Sequence, residues 1–303
     1  MRKDFLAITD LTAAEAYEIF ELSRNLKSRQ KYGEVHQPLK GKTMAMIFQK
    51  PSARTRISFE TGMYQLGGHA LYLGPKDVQI GKREGVSDIA RVISRYNDVI
   101  MARLFGHEDI LELAEYASIP VINGLTDLIH PCQVMADVFT ILEHKGKIEN
   151  LTIAFIGDGN NVCNSWLNLA SIIPINLNLG IPEGYDPDKE TLSRAKRAGI
   201  SKIQICRNPK LAANNAQVIY TDVWASMGQE KEAEQRKLDF RHFQIDDSLL
   251  SHVEEGCIVM HCLPAHRGDE ITDSVMDGPR SVVFDQAENR LHVQKAILVK
   301  LMT

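Results

Sequence analysis

The chain is 303 residues long and has no run of about 18 apolar residues, the length a membrane-crossing helix needs, so a helical channel or transporter is excluded. Its first residues, Met1-Arg-Lys-Asp-Phe-Leu6, carry charge but no apolar core of signal-peptide length, and the mature chain is expected to start here, soluble. The five cysteines, at 132, 163, 206, 257 and 262, include no C-x-x-C pair, and an odd number cannot all pair. That argues against a disulfide scaffold and for a reducing, cytoplasmic setting. There is no basic stripe and the net charge is −4, which argues against nucleic acid as a main partner. No internal repeat, low-complexity tract or block of five like charges occurs.

What is present is ordinary globular composition, 44% hydrophobic and 24% charged, in a chain long enough for two α/β domains. Apolar runs at 43–48, 69–74, 99–103, 119–122, 152–157, 176–180, 202–206, 217–222, 257–262 and 281–284 read as strands. Helical patterns separate them at 86–96, 107–117, 132–145, 188–198 and 209–216, and a capping box, Thr12-Ala-Ala-Glu15, opens another that runs to about Gln30. Such alternation predicts parallel sheets covered on both faces, so the expected fold is α/β with two doubly wound parallel-sheet domains and an active site between them. The alternation breaks at the polar segment Lys145-Gly-Lys-Ile-Glu-Asn150. The expected domains are 1–147 and 148–287, followed by a C-terminal helix at 288–303.

In an open parallel sheet, ligands sit beyond the carboxyl ends of the strands. Strand 43–48 runs into Pro51-Ser-Ala-Arg-Thr-Arg56, where Pro51 suits a first helical turn and Ser52 an N-cap. The first N–H groups of that helix and its dipole favour an anion, and Arg54 and Arg56 add two charges. A pair of Arg alone reads as a solvated helix face. Ser, Thr and Arg crowded at one helix start read better as a phosphate cradle, with Arg56, two residues on, free for a structural role.

Ser52-Ala-Arg-Thr-Arg56 resembles the Ser-x-Arg-Thr-Arg carbamoyl phosphate motif of the aspartate and ornithine carbamoyltransferase family, with Ala53 where Thr is commonest. Arg103 and His130-Pro-Cys-Gln133 resemble the family's Arg and His-Pro-x-Gln, implying that Thr55, Arg103 and His130 donate to the carbamoyl oxygen and that Gln133 accepts from its NH₂. Read alone, Arg103 is a salt-bridged strand end and residues 130–133 a loop. His261-Cys-Leu-Pro264 resembles the marker of the ornithine branch, in which Cys262 and Leu263 face the carbamoyl group and the Leu-Pro bond is cis. A zinc or Cys-His protease site built from His261, Cys262 and His266 has too few ligands.

Gly157-Asp-Gly-Asn-Asn161 invites a dinucleotide reading, but Val162 replaces the third Gly and strand 176–180 ends without an acid, so NAD is not expected. The resemblance instead assigns Asn161 to ornithine, together with Asp222, Ser226 and Met227 of Asp222-Val-Trp-Ala-Ser-Met-Gly228. It assigns Arg290 to the carbamoyl group and implies that the C-terminal helix, 288–303, returns to the first domain. Gln79, in Val78-Gln-Ile-Gly81, would be lent to a neighbouring subunit of a homotrimer or a multiple of trimers.

The activity implied is carbamoyl transfer from carbamoyl phosphate to the δ-amine of L-ornithine, giving citrulline and phosphate in arginine metabolism, with no cofactor and no metal. Arg103, His130, Asp222 and Cys262 would be the catalytic set. The alternatives are another amine acceptor, putrescine or an N-acylornithine, and a catalytically silent binding paralogue.

Overall fold

A computed structural model describes residues 4–80, 84–225 and 232–303. The chain divides into two compact units, one formed by Met1–Phe139 with Asn289–Thr303 and the other by Thr140–Glu288. Nine strands and twelve α-helices are described. The strands are β1 (Thr43–Phe48), β2 (His69–Leu73), β3 (Val99–Arg103), β4 (Val121–Leu125), β5 (Thr152–Ile156), β6 (Asn176–Gly180), β7 (Lys202–Cys206), β8 (Val218–Thr221) and β9 (Ile258–His261). The helices are α1 (Ala13–Lys31), α2 (Ala53–Gln65), α3 (Val86–Ile93), α4 (His107–Tyr116), α5 (Pro131–Lys145) and α6 (Asn161–Ala170), then α7 (Lys189–Ala198), α8 (Pro209–Ala213), α9 (Ala233–Phe240), α10 (Asp247–Leu250), α11 (Asp273–Met276) and α12 (Val283–Met302). Among the described residues no helix is long and apolar enough to cross a membrane.

In the first unit the sheet runs β2-β1-β3-β4, every pair parallel. Its inner strands are buried nearly throughout because helices cover both faces, and they read in sequence as unbroken apolar runs such as Thr43-Met-Ala-Met-Ile-Phe48. One face packs Ile47, Ile100 and Val121 against Ile89, Ile110 and Leu113 of α3 and α4. The winding reverses between β1 and β3, and the carboxyl ends of these two strands pair Phe48 with Arg103. Register shifts between Ala102 and Arg103 against β4, where Ala102 pairs with Asn123 and Arg103 with Leu125, so that Gly124 is passed over.

In the second unit the order is β7-β6-β5-β8-β9, again all parallel, with the reversal between β5 and β8. Ala154, Ile156, Ile219 and Val259 form a core with Phe240, Ile245 and Val275. Gly159, in the turn after β5, is required by close approach: a Cβ there would lie 2.3 Å from the Pro187 nitrogen and 2.5 Å from the Tyr185 carbonyl oxygen. Its N–H donates to that same oxygen at 2.9 Å. Gly159 thus serves packing between strand-end loops, and a dinucleotide is not needed to explain it.

Two sequence expectations are corrected. The run 281–284 is no strand: Ser281 makes a single bridge to Val259, and α12 begins at Val283, its first turn closed by Gln286 N donating to Val282 O at 2.9 Å. The β-branched pair Val282-Val283 looks like a strand, but one bridge exhausts the pairing at that edge. The strand expected at 119–122 lies at 121–125, because Asn123 keeps pairing with Ala102. Gly159→Ala is expected to destabilise the chain by about 3 kcal/mol through backbone overlap; a thermal midpoint equal to wild type would contradict the close approach.

Candidate active site

The first unit gathers its polar residues where β1 and β3 part. Ser52 caps α2 with extended φ and accepts from Thr55 N at 3.3 Å, while Pro51 precedes the cap and does not enter the first turn. The N–H groups of Ala53 and Arg54 have no protein acceptor among the described residues, so the helix start presents two donors beside the exposed Arg54 guanidinium. Arg56 is turned away: its Nε donates to Glu60 at 3.1 Å and its guanidinium lies 4.0 Å from the centre of the Tyr72 ring.

Arg290, buried on α12, holds this cluster together. It donates from Nη1 to Gln133 Oε1 at 2.8 Å and from Nη2 to Thr55 Oγ1 at 3.2 Å. With its amide turned to satisfy its neighbours, Gln294 accepts from Arg290 Nε at 3.2 Å and donates to Ser58 Oγ at 2.6 Å. Thr55 Oγ1 also accepts from Ser52 Oγ at 3.2 Å, which leaves the Thr55 hydrogen for a ligand. Gln133 Nε2 donates to Asp137 at 2.8 Å, and the Arg290 bond already uses one lone pair of the Gln133 carbonyl oxygen.

His130, 5% exposed, precedes α5. Burial holds its pKa well below the ordinary 6.5, reinforced by the charges of Arg290, Arg103 and Arg54. The ring is therefore neutral at physiological pH, a hydrogen-bond donor rather than a cation. Its neighbour Cys132 is pushed up to about 12 by burial and donates to Asn123 O, a structural thiol. Lys50, which the motif reading passed over, is a buried cation paired with Asp127 and set 4.6 Å from the Phe105 ring centre. Gln79 is exposed with φ +50°, and its Nε2 donates to Lys76 O at 3.5 Å, in its own loop.

The second unit gathers its set where β5 and β8 part. Asp222, 7% exposed, accepts from Asn160 Nδ2 at 2.7 Å, from the Cys262 thiol at 2.8 Å and from Val223 N at 2.8 Å. Asn160 also caps α6, its Oδ1 accepting from Val162 N and Cys163 N. The residue bonded to Asp222 is therefore Asn160, whereas Asn161, the position carried over from the resemblance, begins α6. An Asn one residue before an apolar helical run was the N-cap signal that could have found it. Ser226 and Met227 lie outside the described residues.

The segment after β9 is held by His261, which is fully buried. Its Nδ1 accepts from Leu263 N at 2.8 Å, so the ring hydrogen is on Nε2 and points at Glu270 Oε1, 3.0 Å away. This bond fixes Leu263 at φ +59°, a left-handed conformation costing a non-glycine residue about 1 to 3 kcal/mol, and the following Leu263-Pro264 peptide is cis. Asp222, His261 and Cys262 bring ligand-type atoms within 4.8 Å of one another. Both His261 nitrogens are committed to other partners, however, so the trio is not arranged as a metal centre.

The two units thus carry opposite chemistry, one an anion-binding helix start with buried cations and a neutral imidazole, the other a carboxylate and thiol. Comparison with known proteins agrees with that division. Residues 3–143 match the carbamoyl-P binding domain, and residues 149–301 the Asp/Orn binding domain, of aspartate/ornithine carbamoyltransferase. The chain belongs to the aspartate/ornithine carbamoyltransferase family. Within it, the chain is 58% identical to an ornithine carbamoyltransferase of Syntrophus aciditrophicus, covering 98% of this chain and 99% of the relative. It is 52% identical to the chloroplastic ornithine carbamoyltransferase of Pisum sativum, covering 99% and 80%. Among solved structures, the ornithine carbamoyltransferase of Pyrococcus furiosus matches with TM-score 0.93 and 50% identity over 97% of this chain and 95% of that one. The anabolic enzyme of Campylobacter jejuni matches with TM-score 0.94 and 39% identity over 99% of each.

The low pKa of His130 makes folding pH-dependent. Below the ordinary value of 6.5 the unfolded chain binds a proton that the folded chain refuses, so stability falls as pH drops from 6.5, by up to about 1.4 kcal/mol per unit. Urea unfolding at pH 6.5 and 5.5 should show His130→Gln losing about 1 kcal/mol less than wild type over that step; equal losses would contradict a neutral buried imidazole.

Proposed function

We propose that the chain transfers the carbamoyl group of carbamoyl phosphate to the δ-amine of L-ornithine, releasing L-citrulline and phosphate, a step of citrulline and arginine metabolism. The observation that carries this reading is the thiol-to-carboxylate bond between Cys262 and Asp222, in a chain whose other unit opens α2 with Ser52, Arg54 and Thr55. An alkyl ammonium has a pKa near 10.4 by analogy with lysine, so roughly one amine in a few thousand is free at neutral pH. Asp222 and Cys262 hold the amine and help its proton leave. With its hydrogen directed at Asp222, the thiol turns its lone pairs to an incoming N–H.

The amine nitrogen then bonds to the carbamoyl carbon, the carbonyl oxygen takes up negative charge, and the surplus proton on nitrogen passes to the departing phosphate. Thr55, Arg103 and the neutral His130 donate to that oxygen, and Arg290 acts by directing the Thr55 hydrogen and holding the Gln133 amide. As the C–O bond to phosphate breaks, Ser52, the Ala53 and Arg54 N–H groups and the Arg54 guanidinium take the growing charge. The ligands Leu263 and Arg290 for carbamoyl phosphate, and Asn161, Ser226 and Met227 for ornithine, are carried over from the family motifs and belong to the same proposal.

We further propose a homotrimer, or a multiple of it, in which Gln79 serves a neighbouring subunit. Ile57 and Tyr64, seven residues apart on α2, are 61% and 78% exposed, and β2 is an edge strand with Leu71 outward. Apolar side chains beside an open sheet edge favour a partner. All five cysteines are free thiols, which suits a reducing cytoplasm.

The test is citrulline formation with ornithine, putrescine and N-acetylornithine as competing acceptors. Ornithine should be strongly preferred, and Arg54→Ala should lower turnover on the order of 100- to 1000-fold. Unchanged turnover in Arg54→Ala, or no preference for ornithine, would overturn the reading.

A further inference from the structure

Arg236, on α9, is 7% exposed, lies outside every motif read from the sequence, and plays no part in the chemistry above. Its Nη1 donates to Asp158 Oδ2 at 2.9 Å and to the Trp224 carbonyl at 2.8 Å. Nε donates to Glu232 at 3.1 Å, and the guanidinium lies 4.9 Å from the Tyr185 ring centre. Asp158 stands two residues before Asn160 in the turn after β5, and Trp224 two residues after Asp222 in the turn after β8. Since Asn160 itself donates to Asp222 at 2.7 Å, these contacts form a closed ring from Asp158 through Asn160, Asp222 and Trp224 to Arg236.

The helix carrying the guanidinium is itself anchored. Phe240 of α9 stacks on Trp224, with centroids 5.8 Å apart, and meets the Tyr185 ring edge-on at 4.6 Å. Tyr185 OH donates to Asp239 at 2.7 Å. We infer that Arg236 is a positioning residue for the acceptor half of the reaction, clamping the two strand-end turns so that Asn160 and Asp222 keep the spacing that receives the amine. The inference deepens the ornithine reading and rests on it. A flat guanidinium that donates in two directions while stacking on an aromatic ring is a role lysine cannot fill.

Asp158 makes the clamp sensitive to acid. Burial pushes its carboxyl up to about 6, opposed by Arg236 and assisted by Asp222 and Glu232. Cys163 and Tyr185 also face it. As pH falls through about 6 the carboxylate takes a proton and Arg236 loses its charged partner.

Steady-state kinetics of wild type, Arg236→Gln, Arg236→Lys and Asp158→Asn test this. Both Arg236 variants should raise KM for ornithine roughly ten- to hundredfold, the loss of a charge-assisted hydrogen bond, and leave KM for carbamoyl phosphate within about twofold. Asp158→Asn should raise it less and flatten its dependence between pH 5.5 and 7. The Arg236→Gln, Asp158→Asn double variant should be no worse than Arg236→Gln alone. An ornithine KM that stays at the wild-type value, or that rises equally with that for carbamoyl phosphate, overturns the inference even where the melting temperature has dropped. Alkylation of Cys262 by iodoacetamide, read by mass spectrometry against Cys206, requires no turnover and so separates this inference from the choice of acceptor. It should be severalfold faster at Cys262 in Arg236→Gln with Cys206 unchanged; equal rates at Cys262 would show that no clamp acts on Asp222.

Discussion

Parallel pairing is the constraint on which the rest depends. When every strand of a sheet runs the same way, all their carboxyl ends lie along one edge, and where the winding reverses the connections leave in opposite directions and open a crevice. The first sheet reverses between β1 and β3 and the second between β5 and β8. Those four strands lead into Ser52-Ala-Arg-Thr-Arg56, Arg103, Asn160 and Asp222. Chemistry is thus assigned to places that the topology must leave open, while the strands themselves supply an apolar floor.

Electrostatics divides the labour. Around α2 the protein concentrates positive charge but keeps its imidazole neutral, because burial and three arginines make a second proton on His130 costly. A neutral donor can meet an oxyanion without having drawn a counter-ion beforehand. In the other unit a buried carboxylate is satisfied by an amide, a thiol and a backbone N–H, a set suited to an amine that must arrive charged and react neutral. Rigidity comes from side chains that brace the ones around them: Arg290 holds Thr55 and Gln133, and His261 holds Leu263.

Much of this was legible in the residues. Inner parallel strands buried on both faces are continuous apolar runs, so β1 and β3 were read at their observed bounds, as were β6 and the edge strand β7 from alternating apolar residues, and Ser52 announced the start of α2. The last run, 281–284, misled because Val282 and Val283 have strand-type side chains, while only a single bridge, Ser281 to Val259, forms there and α12 starts at Val283. Asn160 carries an N-cap signal in the sequence, but its bond to Asp222, 62 residues on, is visible only in the structure. Arg236, Asp158 and Glu270 carry no motif at all; their roles arise from contacts between segments 9 to 78 residues apart, which local pattern cannot encode.

The central claim is that one unit recognises the anionic carbamoyl donor and the other the amine. Calorimetric titration with a bisubstrate analogue joining a phosphonate to an ornithine-like chain, beside a phosphonate lacking that chain, measures this most directly. The account predicts that Asp222→Asn abolishes the extra affinity of the longer ligand but leaves the shorter one bound as in wild type, whereas Arg54→Ala weakens both. Equal loss of the shorter ligand in Asp222→Asn, or undiminished binding of both in Arg54→Ala, would contradict it.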